Sequence, residues 1–252
     1  MKAWKILLLV VLLLWAVSGL IEDLPRIISG IPRAVDYISR MYPPNLAILG
    51  DLIQPLIETI QIAIVGTALA SVVAVPLSFV AAGNTAPSTS TYLMVRGLIN
   101  ILRSIPILLW AILFVAMVGL GPLAGVFAIT CHSIGALGKY MSEGIEATVP
   151  TLKEILESMR TEGASEFQVL RYGVLPPLWP LFTGYILYYL EGNIRSATVL
   201  GMVGAGGIGL YLTQTIRMFK RHETLTVVLV ILVVVLLVDA LSRVIRKGLI
   251  DE

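Results

Sequence analysis

Six long apolar stretches set the plan of this chain. They run near residues 4–21, 55–82, 98–118, 122–142, 178–200 and 224–242. A helix crossing the hydrocarbon core of a bilayer needs about 20 mostly apolar residues, and each stretch meets that need. The pattern predicts an all-α, polytopic membrane protein with about six spanning helices. The stretch at 55–82 is long enough to tilt or to extend past the bilayer. Between the first two stretches, Leu24, Ile27, Ile28, Ile31, Val35, Ile38 and Met41 recur at helical spacing, with Arg26, Arg33, Asp36 and Arg40 among them. This reads as an amphipathic segment on the outer interface. Gly30 and Pro32 are expected to break it in two, and Pro43 and Pro44 to end it. Residues 1–54 are thus an N-terminal anchor with an external segment, and residues 55–245 a transmembrane core.

The most polar part of the chain lies between the fourth and fifth stretches, at about 143–177. It carries Glu143, Glu146, Lys153, Glu154, Glu157, Arg160, Glu162, Glu166 and Arg171. Thr151 and Glu154 have the spacing of a capping box. In the helix they would start, Ile155, Met159 and Glu162 share a face. Gly163 interrupts that helix. A second short helix fits Ser165–Tyr172, with Pro176 and Pro177 expected to stop it.

Composition agrees with the apolar pattern. Of 252 residues 57% are hydrophobic and 13% charged, against about a quarter charged in a soluble domain, and mean hydropathy is +0.91. A net charge of +2 gives no electrostatic case for nucleic acid. Cys131 is the single cysteine, so no internal disulfide can form, and it reads as a small apolar residue within a span. The first stretch has features of a signal peptide in Lys2, Lys5, the apolar run Ile6–Val17 and small residues at Ala16, Ser18 and Gly19. An uncleaved anchor fits better ahead of a membrane protein. With the N-terminus inside and six alternating spans, eleven Lys and Arg lie inside and six outside, with Arg195 within a span. That bias places both termini in the cytoplasm.

The run Gly204-Ala205-Gly206-Gly207-Ile208-Gly209 matches G-x-G-x-x-G, the pyrophosphate cradle of dinucleotide enzymes. Such a cradle needs a strand before it and an acidic residue about 20 positions later. Here an apolar span precedes it, and the first acid, Glu223, borders the next span. The glycines Gly201, Gly204, Gly206, Gly207 and Gly209 instead suit a bend at the outer mouth of a pathway, where irregular backbone lines a cavity, or close helix contact.

Ionisable residues at span depth are costly and face a cavity or one another. Glu191 and Arg195 are four apart in the favoured order for a helical pair. With Asn193, Ser196 and Thr198 nearby, they are candidates to line a path for an anion. A self-contained ion pair that fixes packing is the competing reading. Arg103, with Ser104 and Pro106 beside it, reads as a cytoplasmic anchor of the third span. His132 reads as a packed, hydrogen-bonded group, and Lys139 as a residue snorkelling to the interface. Asp239 and Arg243 read as an interfacial pair. His222 and Glu223 lie where a delivery protein could touch the outer edge. The sequence has no metal-site spacing, no catalytic triad and no G-x-x-x-x-G-K-[ST].

The polar loop resembles the EAA loop of ABC importer permeases. That pattern is Glu-Ala-Ala, three residues, Gly, nine residues, then Ile-x-Leu-Pro. In register here stand Glu157-Ser158-Met159, then Gly163 with Ala164 after it, then Gly173-Val174-Leu175-Pro176. Glu, Gly, Leu and Pro match; Ser158, Met159 and Gly173 depart from it. The stretches Ile101–Val115 and Glu191–Leu212 are similar to those of phosphonate-type permeases, and the likeness covers most of 55–245. Permeases for methionine and glycine betaine share the glycine-rich region more loosely.

The resemblance implies a small importer fold, a five-helix core preceded by one helix, working as a homodimer in the inner membrane and in contact with lipid. Two cytoplasmic ATPase subunits would bind the loops, holding ATP and Mg themselves, and an external binding protein would deliver a phosphorus oxyanion. This chain would bind no cofactor and hydrolyse nothing. A secondary transporter, the main competing class, would show broken helices in corresponding halves, and none is evident in the sequence. A membrane-embedded enzyme would need clustered His, Asp or Glu.

Overall fold

A helix with few large side chains holds the centre of the molecule. In the computed structural model, which describes residues 3–148, 150, 153–165 and 168–250, this is α5, Pro122–Thr148. Around it run α1 (Ala3–Ser39), α2 (Leu49–Ala81), α3 (Thr89–Ser104), α4 (Ile107–Val118), α6 (Lys153–Thr161), α7 (Leu175–Leu200), α8 (Gly207–Arg217) and α9 (Arg221–Ile250). No strand occurs among the described residues. The buried residues of α5 include Ala124, Gly125, Ala128, Ser133, Gly135, Ala136, Gly138 and Gly144. Small residues let helix backbones approach where no hydrophobic force drives them together, so α2, α3, α4 and α7 all pack on α5.

By length and composition, Leu46–Ala81 and Arg221–Arg243 can each cross a bilayer, and up to five spans result if each of three bent helix pairs counts as one. The 27 residues of α5 are long enough, but its glycine, serine, threonine, His132 and Lys139 make it less apolar than those spans. The expected continuous span at 98–118 is not continuous: α3 and α4 meet at 87°. Pro106 lacks an N–H, and it forces Ile105 into extended geometry at φ −80° and ψ 120°. The second core bend, 41°, joins Arg171–Val203 to α8.

The N-terminal segment also departs from expectation. Helix α1 runs unbroken through Pro25, Gly30 and Pro32, and its bend of 49° falls between Ile6–Ser18 and Asp23–Ser39. The residues around both prolines are exposed, so solvent or headgroups can take up the carbonyls that proline leaves without a donor.

At one end of the bundle, residues 41–58, 119–125 and 201–226 converge. His222 Nδ1 lies 3.1 Å from Met41 O and 2.8 Å from Pro43 O. Both partners only accept, so this nitrogen carries the proton. Thr226 Oγ1 donates to Asn45 O at 2.9 Å, and Glu223 pairs with Lys220 at 3.1 Å. His222 therefore clasps its own chain while it stays exposed. At the other end Arg96 meets Glu146 at 2.6 Å and donates to Ala81 O at 3.2 Å, and Glu146 also accepts from Gly83 N at 2.8 Å. Lys139 pairs with Glu143 at 2.8 Å at this same end.

Gly209 and Gly184 make a controlled comparison. A Cβ on Gly209 would land on Thr198 O, whereas one on Gly184 meets nothing within 4 Å. Gly209→Ala should therefore cost about 1–3 kcal/mol through overpacking and lower the thermal midpoint of the detergent-solubilised protein. Gly184→Ala should leave that midpoint unchanged or raise it.

Candidate functional site

The glycine run forms a braced break inside the protein. A 3₁₀ turn at Gly201–Val203 leads to Gly204 at φ 95°, and α8 opens at Gly207 after Gly206 and Gly207 at φ 80° and 70°. An L side chain is strained in that region. Space is equally short: a Cβ on Gly206 would sit 2.8 Å from Pro122 N, and one on Gly201 would strike Gly206 O. Conformation and close packing thus both demand glycine here.

The first N–H groups of a helix have no partner within it. At α8 these partners come from α2, where Glu58 Oε1 accepts from Gly207 N at 2.9 Å and Thr59 Oγ1 from Ile208 N at 2.8 Å. Glu58 went unremarked in the sequence, although a carboxylate inside an apolar stretch is itself a signal.

A second feature lies halfway along the bundle. A cleft of about 220 Å³ is lined by His132, Tyr188, Tyr189, Glu191, Gly192, Asn193, Arg195 and Ser196. It joins four of the five residues proposed to line a path. Thr198 is apart from it: buried, it donates to Arg195 O at 2.7 Å. Asn193 borders the cleft but is 3% exposed, and its Nδ2 donates to Thr67 and Ser133 at 2.9 Å each. It knots α2, α5 and α7 together. Arg195 bonds Asp239 of α9 at 3.0 and 3.3 Å, while Glu191, its helical neighbour, is 3.8 Å away.

Asp239 therefore turns to Arg195. The pair with Arg243 read from their spacing is not found among the described residues. His132 Nδ1 lies 3.4 Å from Ile105 O, at the break between α3 and α4, as a packed, bonded histidine should. Arg103, read as an anchor opening a span, ends α3 at this break, with its backbone against Gly135 of α5.

The loop projects from the opposite end. Ala164 N donates to Met159 O at 3.0 Å and Gly163 N to Arg160 O at 3.1 Å, with Gly163 at φ 90°. This is the Schellman arrangement, in which glycine ends a helix and apolar residues close over the turn. Met159 and Ala164 accordingly pack on the core, while Glu157, Ser158 and Gly163 are exposed. Among the described residues nothing lies within 4 Å of a Cβ on Gly163.

A capping box does occur, but at Ser165 and Gln168, with Ser165 N to Gln168 Oε1 at 2.7 Å and Gln168 N to Ser165 Oγ at 3.3 Å. The proposed box at Thr151 and Glu154 lies outside the residues and side chains described, as do the Ile155 side chain, Glu166 and Phe167. The second loop helix is a π-helical turn, Val169–Val174, running straight into α7. Pro176 and Pro177 do not stop it. They occupy the first turn of α7 beside half-buried Leu175, where a missing N–H costs nothing.

A helical bundle with two internally braced breaks, a polar cleft between them and a capped helix projecting from one end is a membrane-transport architecture, and likeness to known proteins gives the family. Residues 74–251 match the binding-protein-dependent transport system inner membrane components, and the chain belongs to that family. The chain is 42% identical over 238 residues to the phosphite transport system permease protein PtxC of Stutzerimonas stutzeri, covering 94% of this chain and 85% of that one. It is 37% identical over 225 residues to the phosphate-import permease protein PhnE of Mycolicibacterium smegmatis, covering 89% of this chain and 42% of that protein. The inward-facing MetNI methionine ABC transporter shares the fold, with a TM-score of 0.67 and 22% identity over 81% of this chain and 99% of that chain. The two core breaks do not make this a secondary transporter, because the family match assigns the chain to a binding-protein-dependent system.

Removing Glu58 should expose the brace. Glu58→Ala leaves Gly207 N–H without its acceptor and should cost about 1–3 kcal/mol, read as a lower thermal midpoint of the purified protein. Glu58→Gln keeps an acceptor oxygen and should recover most of that loss.

Proposed function

We propose that this chain is the membrane-spanning subunit of an ATP-driven importer for a small phosphorus oxyanion of the phosphonate and phosphite class. The observation that carries the substrate class is the 42% identity, over nearly the whole chain, to a phosphite permease. The cleft supports it chemically. Arginine matches the geometry of tetrahedral oxyanions, and Tyr188, Tyr189 and Ser196 add hydroxyl donors beside Arg195.

Exposure supports a dimer. The Arg195 side chain is 54% exposed in a single copy. A charge at span depth facing lipid costs about 2.5–3.5 kcal/mol or more. A second copy covering this face would turn the cleft into half of a shared path. Residues 55–245 form the permease core in this reading, and 1–54 a lipid-facing anchor.

Glu157, Ser158, Met159, Gly163 and Ala164, with Leu175 and Pro176 behind them, form the surface on which each of two ATPase subunits docks. Those subunits hold ATP and Mg, and this chain performs no hydrolysis. An external binding protein delivers the anion to the opposite end, where the glycine break acts as the gate. Both termini lie in the cytoplasm in this arrangement, as the distribution of Lys and Arg favours.

Uptake of labelled phosphite, methylphosphonate, phosphate and methionine in a deletion strain carrying the restored gene tests this. Uptake of a phosphorus oxyanion is expected, and uptake of methionine alone would discard the substrate class. Arg195→Gln should lower oxyanion uptake at least tenfold with normal membrane assembly. Loss of assembly would make Arg195 a packing residue. Gly163→Asp should abolish uptake while the protein still inserts. Wild-type uptake by that variant would rule out the docking role.

A further inference from the structure

The charges around the cleft do not favour an anion as they stand. Arg195, the cation among the residues lining the cleft, is joined by Asp239 and Glu191. One guanidinium faces two carboxylates, and one of them already sits on the group that an oxyanion would need. Resting on the oxyanion reading above, we propose that Asp239 is a displaceable counter-ion: it holds Arg195 when the path is empty, yields to the substrate, and returns to expel it.

The geometry suits exchange. Both bonds from Arg195 to Asp239 leave one nitrogen, Nη2, at 3.0 and 3.3 Å. A guanidinium offers five N–H donors in one plane, and its strong mode with oxyanions uses two nitrogens in parallel. A phosphorus oxyanion entering the cleft can adopt that two-nitrogen mode, which Asp239 does not use. The Arg195 side chain is 54% exposed and that of Asp239 29%, so both ends of the pair are open to exchange. Glu191 is less exposed, at 16%, and further away, at 3.8 Å. It stays as the fixed partner on the same helix.

Asp239 also belongs to α9, whereas Arg195 belongs to α7 beside the glycine break. A relative shift of the two helices would make or break their pair without disturbing Glu191. The bond thus couples the arrangement of the helices to the affinity of the cleft for an anion. A counter-ion of this kind would keep Arg195 from becoming a trap, since the substrate leaves as the carboxylate returns.

The test uses the assembled importer, permease with its ATPase, in two measurements. One is maximal uptake of labelled phosphite in cells. The other is phosphite retained on the purified complex by filter binding in the absence of binding protein. Asp239→Asn keeps the size of the side chain and one acceptor oxygen but removes its charge. It should lower maximal uptake about tenfold and raise retained phosphite at least fivefold, with an unchanged thermal midpoint. In the Arg195→Gln background the added retention should vanish.

Wild-type uptake and retention by Asp239→Asn would overturn the proposal. So would lost uptake with no gain in retention and a lowered midpoint, which would make the pair structural. Added retention that survives Arg195→Gln would overturn it as well. Wild-type phosphite uptake by Arg195→Gln alone would be a different failure: it would remove Arg195 from the path and with it the oxyanion reading of the cleft.

Discussion

Within hydrocarbon every backbone N–H and C=O must find its partner inside the protein, and this chain breaks its helices twice in the core. Each break survives because another element supplies the missing partner. Where α7 gives way to α8, Glu58 and Thr59 of α2 accept the free N–H groups. Where α3 gives way to α4, Trp110 Nε1 donates to Leu102 O at 3.2 Å, and His132 of α5 reaches Ile105 O. The polar residues that a hydropathy profile treats as interruptions are the ones that make irregular backbone affordable at this depth.

This requirement in turn explains α5. A brace works only if the helix carrying it comes close, and α5 approaches through alanine, glycine and serine. At Gly135 a Cβ would meet Arg103 N at 2.6 Å and Ile99 O at 2.8 Å, so α3 lies directly on its backbone. That contact brings the α3–α4 break to His132, and the same stretch of α5 brings Ser133 to Asn193. The cleft is thus defined by packing on both flanks: the α3–α4 break on one, and the Asn193 knot of α2, α5 and α7 on the other.

The spans and the loop were legible because they follow local rules. Length and apolar content gave the helices, and Gly163 with the loop's charges gave a capped projecting helix. The 87° bend was less visible. Pro106 was in plain view, but an apolar window averages across a proline and returns one continuous stretch. Glu58 was also visible as a carboxylate among apolar residues, and its partner lies 149 positions away. The pairing of Arg195 had the same difficulty. Spacing of four suggested Glu191 for Arg195 and Arg243 for Asp239, each within one helix. The fold instead joins Arg195 to Asp239 across 44 positions. Helical periodicity ranks neighbours along one helix and says nothing about which helix lies alongside.

One helix connects all the features of the site. From the π-helical turn at Val169–Val174 the chain enters α7 without a gap and stays helical to Leu200, passing the cleft at Glu191–Ser196 and ending at the glycine break. Its loop end packs on the core through Val174, Leu178 and Phe182, and its far end through Ile194, Ala197 and Leu200. A helix gripped at both ends passes displacement along its axis or as a tilt, with Pro180 a point inside it where it can bend. Movement of the loop would therefore reach Arg195 and the glycine break together, changing the distance to Asp239 on α9 as the bend at Gly204–Gly207 changes angle. Between the π-helical turn and the glycine break the polar side chains of the cleft ride on α7, so loop, cleft and break share one helix.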